Sequence, residues 1–128
     1  MEHPGSGVLE FSFRIEDARG NFAWHCTEIS KAGVNIVTVA CLGGEKTPTV
    51  ALAINEEDAD AVRTVLDDIG VSYRESELHA VEVRNTPGGL AETTTELAER
   101  GWNLRSIYML RGSEGDSHVL MGVTKREE

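Results

Sequence analysis

The loop Asn85–Leu90, with the sequence NTPGGL, is the stretch of this chain whose residue types are best suited to chemistry. It follows alternating apolar residues at 81–83, typical of a strand, and precedes apolar residues at helical spacing. Pro87 fixes its own φ angle, and Gly88 and Gly89 allow the main chain to turn sharply. The loop is therefore predicted to present backbone N–H groups at a helix N-terminus, where a carboxylate is favoured.

Asparagine side chains extend this chemistry. The amide of Asn85 can both donate and accept hydrogen bonds, which suits a molecule that carries one ammonium and one carboxylate. Asn103, or Asn35 earlier in the chain, could supply a second such group from an adjoining strand or a neighbouring module. A structural interpretation stays open, because Pro-Gly-Gly turns serve many strand-to-helix connections and an Asn after a helix-ending Gly is often a cap.

The chain contains a repeat with an offset of 68 positions. The order strand, loop, helix, strand at 81–110 also occurs, in weaker form, at 13–42. Gly20, Glu28, Gly33, Asn35 and Leu42 each precede an identical residue by that offset. Self-similarity of this kind indicates tandem modules. The repeat thus predicts two small modules in place of the single domain that 128 residues would suggest.

The hydrophobic periodicity predicts the elements of each module. Residues 1–7 are predicted to be a disordered N-terminus. The first module, 8–78, is predicted as β-α-β-β-α-β, with strands at 8–15, 35–42, 49–54 and 71–78 and helices at 22–33 and 55–69. The second, 79–128, is predicted as β-α-β-β, with strands at 80–84, 103–110 and 117–124 and a helix at 88–100. The predicted fold class is α+β, with two ferredoxin-like modules in tandem, the second lacking its last helix and strand. In both modules the sheets are antiparallel and the helices lie on one face.

Two short motifs in the correct order make the chain resemble the ACT domains. The loop pattern N-x-P-G-x-L is Asn85–Leu90, and the pattern G-x-N-[IL] that opens the next strand is Gly101–Leu104. The first repeat keeps the second pattern at Gly33–Ile36. Its loop departs from the first pattern, with Arg19 in place of the proline and Phe22 in place of the leucine.

The resemblance implies a non-catalytic sensor of a free amino acid that regulates a partner or its own assembly. In such proteins the ligand usually lies between two modules, and the partner would be a biosynthetic enzyme or a regulator. The alternative that the departures leave open is a ligand-free structural or interaction protein that uses the fold for oligomerisation. The implied ligand-binding residues are Asn85, Thr86, Pro87, Gly88, Gly89, Leu90, Asn103 and Leu104, with Asp17, Arg19, Gly20, Asn21, Asn35 and Ile36 in the first repeat.

The missing elements of the second module predict a homodimer. Without a second helix and a fourth strand, part of its sheet face and its first strand lack their usual cover. Exposed apolar surface costs about 25 cal/mol per Å², and a bare edge strand pairs readily with another chain.

Composition argues against several other functions. A net charge of −10 disfavours binding to nucleic acid, and no apolar run is long enough to cross a membrane, so a cytoplasmic location is expected. Cys26 and Cys41 fit structural roles, and the four histidines are scattered, so neither a metal site nor a cofactor is expected. No nucleophile has an adjacent base. Arg19 and Asn35 match the residue types of acylphosphatases, but the phosphate-cradling loop of those enzymes is absent, and no enzyme activity is expected.

Overall fold

The computed structural model describes residues 5–44, 46–110 and 117–124. The elements in this part of the chain are β1 (Gly5–Arg14), α1 (Asn21–Lys31), β2 (Ile36–Leu42), β3 (Thr49–Asn55), a 3₁₀ turn (Glu56–Asp58), α2 (Ala59–Asp68), β4 (Tyr73–Val83), α3 (Gly89–Glu99), β5 (Asn103–Leu110) and β6 (Ser117–Thr124). Their strands pair in antiparallel fashion. The predicted α+β class is confirmed.

Three predicted boundaries are wrong. β1 begins at Gly5, so part of the segment predicted to be disordered is a strand. Asn55 makes no side-chain cap, and a 3₁₀ turn separates it from α2. The strands predicted at 71–78 and 80–84 form one continuous strand, β4, because residues 73–83 contain no glycine or proline that would interrupt it. Residues 1–4 and the predicted loop 111–116 lie outside the described residues.

The chain divides into two compact units, residues 7–76 and the chain from residue 77 onward, with which residues 5 and 6 are grouped. In the first unit the strand order is β2-β3-β1. Phe11 pairs with Leu52, and Phe13 pairs with Val50. These side chains share one face of the sheet because side chains alternate along a strand.

Both helices of the first unit pack against that face. Ile29 of α1 and Val62 and Leu66 of α2 are fully buried in one cluster with the strand residues Phe11 and Leu52. The ring of Tyr73, at the start of β4, lies 5.6 Å from the ring of Phe11. A single core therefore holds together the strands and both helices of this unit.

Arg63 connects α2 to β4 through an ion pair with two hydrogen bonds. Its Nε donates to Glu75 Oε2 at 2.9 Å and its Nη2 to Glu75 Oε1 at 2.7 Å. Its Nη1 also donates to Asp60 Oδ1 at 2.6 Å. The hydrogen bonds from Arg63 hold the pKa of Glu75 below its ordinary value, against the opposing effect of burial.

Glu75→Gln is expected to lower the thermal unfolding midpoint at pH 7 and to have progressively less effect towards pH 3. Because the pKa of Glu75 is lower in the folded chain, its ionisation stabilises the fold above the unfolded value of about 4.3. This stabilisation is lost as the pH falls through the folded pKa. Scanning calorimetry of parent and variant across this range measures the difference. Glu77→Gln, on the same strand and without an ion pair among the described residues, is the control, and a gap independent of pH would contradict the prediction.

The second unit has the strand order β4-β6-β5, with α3 between β4 and β5 in the chain. Its described core is smaller. Val81, Val83 and Leu97 are buried there, and Leu90, Trp102 and Leu104 pack partly against them. The ring of Trp102 also lies 6.0 Å from the ring of His79.

Positions 68 residues apart adopt the same backbone geometry in the two units. The helices α1 and α3 begin and end at equivalent residues, Asn21–Lys31 and Gly89–Glu99. Gly20 and Gly88 precede them with φ angles of 80° and 85°. The strand that follows each helix has an irregularity at the same place, at 36–38 in β2 and at 104–106 in β5. The sequence repeat is thus accompanied by a repeat of local structure.

Candidate functional site

The loop before α3 has the shape that its sequence predicts. Asn85, Thr86, Pro87 and Gly88 are exposed, and Gly88 is in the left-handed conformation. The N–H of Gly89 donates to Thr86 O at 3.0 Å, which closes the turn. No side chain caps the start of α3 in the described structure. The N–H groups of its first turn therefore have no cap to compete with an anion.

Gly89 is the most constrained residue of this loop. A Cβ atom at this position would lie 2.1 Å from the backbone oxygen of Arg84. The guanidinium of Arg84 forms an ion pair with Glu92, in the first turn of α3. The end of β4 and the start of α3 are thus in direct contact, and only glycine fits between them.

The loop before α1 is built differently at the equivalent position. Asn21 occupies the place of Gly89, and its Nδ2 donates to the backbone oxygen of Glu16 at 2.7 Å. Glu16 stands 68 residues before Arg84, so a side chain fills the gap that is closed in the second loop. Asp17 and Arg19 are exposed. The Asn21 amide therefore has a structural role, while the predicted residues Asp17, Arg19 and Gly20 remain open to solvent.

Within each unit, the asparagine before the second strand lies far from the loop. Asn103 pairs with Thr124, and Val83, next to the loop, pairs with Ser117. Seven residues of β6 separate these levels, about 23 Å at 3.3 Å per residue. Asn103 and the loop 85–90 of one unit therefore cannot contact the same small ligand. Leu104 is half-buried beside Val83 and Leu97 and serves the core.

The same separation holds in the first unit. Ile36, which follows Asn35, pairs with Ile54, and Arg14, at the end of β1, pairs with Thr49. Five residues of β3 separate these levels, about 17 Å. The predicted pair Asn35 and Ile36 thus lies at the opposite end of the sheet from the loop 17–21.

A cleft of about 920 Å³ lies at the loop end of the first unit. It is formed by the end of β1, the first turns of α1, the start of β3, the segment 69–72 and the start of β4. Its polar lining consists of Ser12, Arg14, Glu16, Asn21, His25, Thr49, Ser72, Tyr73 and Arg74. Only Asn21 was among the site residues predicted from the sequence. The spacing of Asn21 and His25 places both on one helix face, but the proximity of 69–74 is a tertiary contact.

His25 is the buried polar group of this cleft, with 7% of its surface exposed. Its Nδ1 lies 2.7 Å from the backbone oxygen of Asn21. Because a carbonyl oxygen only accepts, Nδ1 carries the proton in this hydrogen bond. The ring packs near Phe13 and Trp24, at centroid distances of 5.9 and 5.0 Å. In the neutral ring, Nε2 is then an acceptor.

The other candidate groups carry no catalytic arrangement. Burial, and then the neighbouring Cys41, raise the pKa of the Cys26 thiol, which disfavours the reactive thiolate. Cys41 is exposed, whereas the sequence suggested a structural residue. Among the described residues, no group of three His, Cys, Asp or Glu side chains could hold a metal ion. None of the described helices has the length and apolar character needed to span a membrane.

No protein-family model and no curated protein sequence matches the chain. Solved structures do match it. A protein of Bacteroides thetaiotaomicron has a TM-score of 0.74 at 16% identity, over 93% of this chain and 81% of the other. The ligand-free regulatory subunit of aspartate kinase from Thermus thermophilus has a TM-score of 0.72 at 17% identity, over 95% and 89%. A structure of aspartokinase alpha and beta subunits has a TM-score of 0.69 at 20% identity, over 94% and 88%.

These similarities concern the fold. The chain shares its α+β architecture with regulatory subunits of aspartate kinase. An ACT-like, ferredoxin-like fold, as implied by the motifs in the sequence, is consistent with this architecture.

Proposed function

We propose that this chain is a non-catalytic regulatory protein that binds a free amino acid at the loop 85–90. The observation that carries the proposal is the exposed loop itself, which leads into the uncapped N-terminus of α3 on a fold shared with regulatory subunits. Asn85 and the backbone N–H groups of the first helical turn would recognise the ammonium and carboxylate groups. The regulated partner would be a cytoplasmic biosynthetic enzyme or a regulator.

The chain is organised, on this proposal, as two ACT modules in tandem, at 8–78 and 79–128, the second of them βαββ. The equivalent helices, left-handed glycines and strand irregularities 68 positions apart support this arrangement. Asn103 would contribute to a ligand site only from another module, because within its own unit it lies about 23 Å from the level of the loop. Assembly with a second copy would supply such a module.

Regulation would follow from linkage. A ligand that binds one arrangement of modules more tightly than another shifts the equilibrium by that difference in affinity. A ligand that binds the folded chain alone also stabilises it, by about 2.7 kcal/mol at a concentration 100 times its Kd.

One or a few of the twenty amino acids are expected to raise the thermal unfolding midpoint by several degrees. Asn85→Ala and Gly88→Val should abolish the rise, the first by removing an amide and the second by changing the loop backbone. Gly33→Val is the matched control, since Gly33 also has a positive φ, 79°, and a Cβ atom there would meet no other atom within 4 Å. It should lower stability but preserve the rise. No response to any amino acid, or the same response in Asn85→Ala and the parent, would contradict the proposal.

A ligand-free interaction protein is the second candidate, favoured by apolar residues on the terminal strands of each unit. Leu42 and Val39 of β2 are 78% and 40% exposed, and Met109 and Ile107 of β5 are 54% and 40% exposed. Terminal strands with exposed apolar residues pair readily with another chain. A dimeric mass in light scattering, together with no thermal response to amino acids, would favour this function.

A further inference from the structure

The cleft of the first unit contains two arginines without a carboxylate partner in the described structure. Other basic side chains form ion pairs, namely Lys31 with Glu28, Arg63 with Asp60 and Glu75, Arg84 with Glu92, and Arg100 with Glu96. Arg14 contacts Thr47 Oγ1 at 3.5 Å, and Arg74 has no ion pair within the described residues. With 22 acidic and 12 basic residues in the chain, unpaired guanidinium groups beside a cavity point to an anionic ligand.

The same cleft offers groups for a cation. The carboxylate of Glu16 has no ion pair among the described residues, and Glu16 lines the cleft. The buried ring of His25 uses Nδ1 for the hydrogen bond to Asn21, which leaves Nε2 as an acceptor in the neutral ring. A carboxylate and an imidazole acceptor both suit the N–H groups of an ammonium.

Apolar side chains complete the lining. Phe13, Ile69 and Val71 line the cleft together with Tyr73. Burial, followed by the charges of Asp67 and Glu75, raises the pKa of Tyr73, so that its ring stays neutral. These residues could contact a short aliphatic chain between the charged ends of a ligand.

We propose that this cleft binds an acidic amino acid, a ligand with two carboxylates and one ammonium. Arg14 and Arg74 would each bind a carboxylate, and Glu16 with His25 would bind the ammonium. The formal charge of the lining, two arginines and one glutamate, complements the net charge of such a ligand. The site lies in the first unit and does not depend on ligand binding at the loop 85–90, which belongs to the second.

The test is isothermal calorimetry on the full chain with six compounds. Aspartate and glutamate are expected to bind. Asparagine and glutamine, which have the same shape but one carboxylate fewer, should bind at least about tenfold more weakly, since each loses a charge-assisted hydrogen bond. Succinate and glutarate, which lack the ammonium, should also bind more weakly than the amino acids. Equal affinity for acids and amides would overturn the proposal.

Variants locate the binding. Arg74→Gln and Arg14→Gln should each weaken binding of the acidic amino acid at least about tenfold. Lys31→Gln removes one positive charge outside the cleft, from a side chain that is 69% exposed, and should change nothing. Circular dichroism and the unfolding midpoint without ligand show whether each variant is folded. Unchanged affinity in both arginine variants would overturn the proposal.

The loop variant Gly88→Val distinguishes this proposal from the proposed function. Acidic amino acids should bind Gly88→Val as tightly as the parent. If their binding is lost in Gly88→Val and retained in Arg74→Gln, the cleft proposal fails while amino-acid binding at the loop stands. If binding depends on Arg74 and no amino acid depends on Gly88, the cleft proposal stands and the loop proposal fails.

Discussion

Gly89→Ala is expected to lower the free energy of unfolding of the second unit by about 3 kcal/mol. The new methyl group would stand 2.1 Å from the backbone oxygen of Arg84, well inside van der Waals contact. A backbone atom cannot move aside as a flexible side chain would. The end of β4 and the start of α3 must therefore separate, which disturbs the small core of Val83 and Leu97.

Two variants serve as controls for Gly89→Ala. Gly88→Ala places a side chain at a φ of +85° in open space and should cost about 1 kcal/mol. Asn21→Gly, at the equivalent position of the first loop, removes the hydrogen bond to Glu16 O and should also cost about 1 kcal/mol. Urea unfolding of each variant gives these values. A cost for Gly89→Ala no greater than that for Gly88→Ala would contradict the predicted clash.

Leu66→Ala is expected to lower the free energy of unfolding of the first unit by about 2–5 kcal/mol. Leu66 has none of its surface exposed and belongs to the cluster that joins α2 to the sheet. Truncation leaves a cavity that the surrounding side chains, Phe11 and Leu52 among them, can only partly fill. Thr64→Ala, at an exposed position of the same helix, should stay within about 0.5 kcal/mol of the parent.

Fluorescence separates the two units in these experiments. The chain has two tryptophans, Trp24 in the first unit and Trp102 in the second. In a Trp102→Phe background the signal reports on the surroundings of Trp24, and in a Trp24→Phe background on those of Trp102. Leu66→Ala should shift the urea midpoint reported by Trp24, and Gly89→Ala that reported by Trp102. A shift confined to the opposite unit would contradict either prediction.

The first loop shows where sequence reasoning about the site reached its limit. Arg19 and Phe22 marked it as a departure from the ACT pattern, which favoured the second loop as the binding site. The structure places a cleft of about 920 Å³ beside the first loop, lined by Arg14, His25 and Arg74. Arg14 and Arg74 are 60 residues apart in the sequence. No local pattern connects them, because only the packing of β4 in the first unit brings residue 74 to the end of β1.

The grouping of asparagines with the loops shows a second limit. The resemblance placed Asn103 with the loop 85–90 as one set of ligand residues. Within a unit, the helix carries the chain back along the sheet, so the strand after it begins at the end opposite the loop. The register shows this for Asn103 and, in the first unit, for Asn35.

The amino-acid sequence by itself determined the elements, the offset of 68 residues and the shape of the loop before α3. These depend on local physics: alternation along a strand, spacing along a helix, and the φ angles open to Pro87 and Gly88. The tertiary structure alone decided that β4 runs unbroken, that Gly89 touches Arg84, and that a charged cleft forms at the first loop. These features depend on contacts between residues distant in the chain, and burial and register, not local preference, select among the possible contacts.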